Sequence, residues 1–223
     1  MVTTEFVQDV VLRSEGKLPT FTTGSTKWLR IVALGNLFLR QFARERGVNW
    51  SRYYNPVIEL GNVTATGIYD LPDEVYKLSS KQGDSLRITH TDGRFTDYTV
   101  VPHNALKKYA YGNYVAKLGR TVKFNTPFTS SSPQLGGSMT VAGYELPETF
   151  SADNDEIDID NSDWLVTTVA GDRVKNDVTR KDLRADLVSE ANEIMQTLKE
   201  EEESQLEEVD LTWNPLTNSD SEW

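Results

Sequence analysis

His90 and His103 are the chain's only imidazoles, and so the only side chains whose ordinary titration suits acid–base work near neutral pH. Neither sits in a recognisable catalytic setting. The sequence holds no G-x-S-x-G elbow, no H-E-x-x-H zinc motif and no phosphate-cradling P-loop lysine. His90 closes a strand-like run and His103 follows Pro102 at a turn, so both read as surface or hairpin residues. With no cysteine in the chain, thiol catalysis, disulfides and Cys-based zinc sites are excluded. The acidic run at 153–163 superficially resembles a calcium loop. An EF-hand needs Gly at its sixth position and Glu at its twelfth, where this run has Asp158 and Trp164. It reads better as a solvated linker whose acids favour the start of the next helix. Paired carboxylates for glycoside hydrolysis have no specificity as a signal among 34 acidic residues. No catalytic residue, metal or cofactor is assigned, and the chain reads as non-enzymatic.

The residues that stand out are suited to contact. Lys107, Lys108, Tyr109, Tyr111 and Tyr114, followed by Lys117 and Arg120, interleave basic and aromatic side chains. Such a pattern serves a single-strand nucleic-acid face, an amphipathic β-hairpin or an inter-subunit contact. A second signal closes the sequence, EEEESQLEEVDLTWNPLTNSDSEW. Residues 200–223 hold nine acids and no Lys or Arg, leaving only −2 of the chain's net −11 for residues 1–199. Val209, Leu211, Trp213, Leu216 and Trp223 give this stretch large apolar hooks. A segment too polar to build a core, yet carrying such side chains, is suited to docking on another surface.

Helical spacing marks both ends of the chain. Residues 3–15 place Phe6, Val7, Val10 and Val11 on one face, and Gly16 stops them. A second helix starts at an N-cap Ser25 or Thr26 and runs to Gly47. Its most apolar part, 28–42, is interrupted by Arg30, Asn36, Arg40 and Gln41 and is shorter than a membrane span of about 20 residues. A third helix starts at Ser162. A fourth, over 180–206, carries Leu183, Leu187, Ala191, Ile194 and Leu198 on one stripe. Four consecutive glutamates oppose the helix dipole there, so fraying is expected at that end. Between these helices, turn residues recur every few positions. Strands are predicted at 68–71, 85–90, 96–101, 121–125 and 138–144, with a hairpin at Asp92-Gly93. GIYDLP (67–72) and GYELP (143–147) read as strands ending at a proline, and as the two crossings between helical and β regions. The N-terminus lacks a basic segment followed by an apolar run, so no secretory signal is expected.

The fold class is therefore α+β: a four-helix bundle built from both chain ends, a central all-β insertion, and an extended acidic C-terminal tail. The boundaries fall at 1–54 and 151–206 for the bundle halves, 55–150 for the insertion and 207–223 for the tail.

Five segments in this order carry a family resemblance. They are WLRIVALGNLFLRQFAR (28–44) leading to VNW (48–50), IYDLPD (68–73), YELPETF (144–150), DWLVTTVAGDRVKND (163–177) and ANEIMQTLKEEEE (191–203). The chain resembles the head–tail connector, or adaptor, proteins of tailed bacteriophages. That resemblance implies a structural virion protein of the neck, present in the host cytoplasm during assembly. It implies a homo-oligomeric ring, usually of twelve subunits, beneath a portal protein. The ring extends the DNA channel without sequence-specific binding and receives the next tail or neck component, with no membrane partner. A competing reading takes the aromatic middle (Tyr98, Tyr109, Tyr111, Tyr114 and Phe124) as a carbohydrate- or ligand-binding face of a virion or surface assembly.

Overall fold

The computed structural model describes residues 1–79, 84–109 and 111–212, the last eight of these (205–212) by backbone alone. The chain is mixed α+β and divides into two compact units. One holds Met1–Trp50 together with the chain from Glu148 onward; the other is Ser51–Pro147.

The first unit contains α1 (Thr3–Glu15), α2 (Thr26–Ala43), α4 (Ser162–Val174) and α5 (Lys181–Thr212). α1 buries Phe6, Val7, Val10 and Val11, and Gly16 ends it in a left-handed turn at φ +71°. The Ser25 side chain caps α2 by accepting from the Trp28 amide. α4 starts one residue from expectation: Asn161, not Ser162, is the cap, its Oδ1 accepting from the amides of Asp163 and Trp164. Eight of the thirteen α4 residues are buried, because α4 contacts α1, α2 and α5 alike. Gly35 of α2 leaves the space in which Phe6 and Phe150 meet edge to face, their centroids 5.4 Å apart. Asn36 pins the same place. Its Nδ2 donates to the Phe150 carbonyl at 2.7 Å, and its Oδ1 accepts from the Phe150 amide at 3.0 Å.

Two expectations change in this unit. The run 153–163 is not merely a solvated linker, because Ile157 and Ile159 are buried. Carbonyls of Asp153 and Asp155 accept from the amides of Thr4 and Thr3, satisfying open donors in the first turn of α1. The second change is that α5 does not end at 206. It continues to Thr212, so Glu200–Glu203 are interior to the helix and Glu202 is a buried, partnered carboxylate. Val209 and Leu211, expected in an extended tail, lie on helical backbone.

The second unit is an eight-stranded sheet: β1 (Tyr54–Asn62), β2 (Ile68–Asp70), β3 (Val75–Leu78), β4 (Ser85–Thr89), β5 (Phe95–Val100), β6 (Tyr114–Leu118), β7 (Thr121–Phe124) and β8 (Ser138–Glu145). The order is β1-β8-β4-β5-β6-β7-β2, with β3 also paired to β8. Leu86, Ile88, Val115, Val122, Met139 and Val141 form the centre of its core. β1, β3 and β6 are not among the predicted strands. Pro56 and Gly61 interrupt β1, and both fall at irregularities in its pairing with β8, where a missing donor or extra flexibility is tolerated. The GIYDLP segment lies inside this unit and marks no crossing, whereas GYELP closes it. The Asp-Gly hairpin forms as expected between β4 and β5. Gly93 takes φ +85° and Asp92 accepts from the Arg94 amide.

Candidate functional site

β5 and β6 are parallel, so the chain between them must cross over rather than turn tightly. That crossover carries the short helix α3 (His103–Leu106) and the basic–aromatic residues. Lys107, Lys108, Tyr109 and Tyr111 thus lie in a crossover rather than a hairpin, whereas Tyr114 and Lys117 on β6 and Arg120 in the turn to the antiparallel β7 belong to a β-hairpin; His103 opens a helical turn. Val101, Leu106 and Ala116 pack together beneath the crossover with Tyr114 against them, while Val115 faces the main core on the opposite side of β6. The Asn125 side chain fastens the loop by donating to the carbonyls of Tyr109 and Gly112. Tyr109 and Tyr114 are brought together, with ring centroids 4.4 Å apart. Lys107 and Lys108 are exposed, and Tyr111 is 92 % exposed. Tyr98 and Phe124 do not join them. They meet at 4.8 Å inside the core of the sheet, 6 % and 3 % exposed, so they cannot line a ligand face.

Several titratable groups outside the crossover have structural partners. His90 Nε2 lies 2.8 Å from Thr96 Oγ1 across the β4–β5 pair. Asp155 accepts from the amides of Ser151 and Ala152, and these bonds hold its carboxyl below the usual range. Arg87 lowers Asp97 in the same way through a two-point ion pair. Tyr54 is pushed up to about 12 by burial and by donating to Asp84 at 2.8 Å. Arg13 of α1 reaches both later helices. It donates to Thr167 and Asp163 of α4 and, at 2.7 Å, to Glu190 of α5. Among the described residues, no group of three or more His, Asp or Glu side chains could hold a metal ion, and no helix is long and apolar enough to cross a membrane.

Of the proposed hooks, Trp213, Leu216 and Trp223 lie outside the described residues, and Val209 and Leu211 are placed by backbone alone.

A surface feature that the sequence did not announce lies along α5. A hollow of about 640 Å³ is walled by Lys175, Asn176, Asp177 and Val178 from the α4–α5 turn. α5 supplies Lys181, Arg184, Ala185, Val188, Ser189 and Asn192. A second hollow, about 450 Å³, shares Val188 and Asn192 with the first and continues past Trp164, Gly171 and Met195 to Lys199. The two form one furrow. Lys199 is paired with Glu45 at 2.7 Å, Lys175 with Asp172 at 2.6 Å, and Asp177 with Arg180 at 3.3 Å. Lys181 and Arg184 have no ionic partner among the described residues, which leaves the first hollow positively charged. Val178 and Val188 are 71 % and 46 % exposed there. The available clue was Val188, an apolar residue displaced from the Leu183–Leu187–Ala191 stripe.

Searched against protein-family models and curated proteins, the chain matches none.

Proposed function

We propose that this chain is a structural connector of a tailed-phage neck, assembling as a ring beneath a portal and docking through its acidic C-terminal segment. The observation that carries this reading is the length of α5. At 1.5 Å per residue, its 32 residues span about 48 Å, while the 13 residues of α4 beside it span about 20 Å. α5 thus runs well beyond the length of α4; it stays packed through Leu198 and Glu202, and its last turns continue to Thr212 and lead into the segment with the apolar hooks. The connection of both chain ends within one helical unit, with the sheet inserted between them, also supports it. Closed heterologous contacts around a ring repeat one interface many times. Acids facing a central channel would repel the DNA backbone and let it pass without retention.

In this account the portal lies on one side of the ring and the next tail or neck component on the other. The exposed Lys107, Lys108, Tyr109 and Tyr111, with half-buried Tyr114, suit a second protein contact. Negative-stain imaging of the full chain mixed with the cognate portal tests the proposal. Rings, expected with twelve subunits, stacked on the portal are the predicted result. A chain that neither oligomerises on the portal nor binds it contradicts the proposal. Glycan binding by the full chain at Tyr109–Tyr114 would favour the carbohydrate-binding reading instead.

A further inference from the structure

The furrow on α5 and the acidic segment that follows α5 are chemically complementary. One offers the unpaired cations Lys181 and Arg184 around exposed Val178 and Val188. The other offers Trp213, Leu216 and Trp223, with Asp220 and Glu222 nearby and no cation. Hollows of this volume are in the range that accepts large side chains. Along α5 the furrow extends from Lys181 to Lys199, about 27 Å, which matches eight or nine residues of extended chain.

Reach decides which copy supplies the occupant. Along a straight helix, Thr212 lies about 36 Å from Val188 and about 46 Å from Lys181. Leu216 is four residues beyond Thr212 and reaches at most about 14 Å from it. Trp223, eleven residues beyond, reaches at most about 40 Å, as far as Val188 but short of Lys181. A chain cannot bring its own Trp213 or Leu216 to Val188. We infer that the furrow formed by the α4–α5 turn and α5 receives residues 213–223 of a second copy of this chain. The apolar hooks enter the hollows and the acids pair with Lys181 and Arg184. This rests on the reading of the chain as self-assembling, and it names the receiving surface.

The absence of native cysteine makes a clean test possible. Full-length single-cysteine variants Val188→Cys and Leu216→Cys are mixed and treated with a short bis-maleimide. Mixed dimers joining the two positions are expected. Adding Lys181→Glu and Arg184→Glu to the Val188→Cys chain should lower their yield at least tenfold with an unchanged melting temperature. Three results would overturn the inference: no mixed dimer, a yield insensitive to charge reversal, or cross-linking within a single chain in the Val188→Cys/Leu216→Cys double variant. Rings that still form on the portal without this cross-link would remove the furrow as the dock and leave the connector reading standing.

Discussion

Two glycines on neighbouring helices separate close packing from open space. A Cβ at Gly35 would stand 2.6 Å from Phe150 Cζ and 2.8 Å from Phe6, and both rings are fully buried. Those rings have nowhere to retreat. Gly35→Ala should therefore destabilise by about 1–3 kcal/mol despite alanine's better helix propensity. A Cβ at Gly171 would meet Leu187 Cβ at 3.6 Å, an ordinary contact. Gly171→Ala should be neutral or stabilising by up to about 1 kcal/mol. Chemical denaturation of the two variants checks the contrast. Tyr54 gives a pH signature. Its phenol is held neutral up to about 12 in the folded chain, above an ordinary value near 10. Because the folded value is raised, the stabilisation is complete below pH 10 and is lost as pH rises towards 12. Denaturation midpoints measured across that window should fall for the native chain, and part of the slope should be missing in Tyr54→Phe.

At the scale of elements, polar side chains fix segments that the apolar pattern only gathers. Asn36 looks like an interruption in the α2 apolar run, yet it satisfies both backbone groups of Phe150. Asn36→Ala leaves a buried amide and carbonyl unpaired and should cost about 1–3 kcal/mol, measurable by urea denaturation. The helices were legible because 3.6-residue spacing survives in Phe6–Val11, in the Leu187–Leu198 stripe and in the buried face of α4. The turn at Gly93 was legible because Asp-Gly has one strongly favoured use. β1 was not, since Pro56 and Gly61 break the alternation that defines a strand and are tolerated only at irregularities in its pairing. Tyr98 and Phe124 were misassigned because an aromatic side chain looks alike in a core and on a binding face. The reach of α5 to Thr212 was hidden by its glutamates, whose unfavourable dipole term is small beside the cooperativity of an established helix. The furrow left only the displaced Val188 as a trace in the sequence, because its walls combine a turn with one face of a helix.

At the scale of the molecule, α5 runs beyond the length of α4, the furrow along α5 holds unpaired cations, and the following residues hold acids and large apolar groups. These features make association, rather than chemistry on a small substrate, the account that uses them together. The tail is the part on which that account turns. The most direct measurement compares the full chain with one ending at Thr212, each mixed with the portal and examined by mass photometry. The account predicts that the full chain builds portal-bound rings. The shortened chain should keep its melting temperature within a few degrees and lose ring assembly. Equal assembly of the two chains on the portal, at equal affinity, would contradict it.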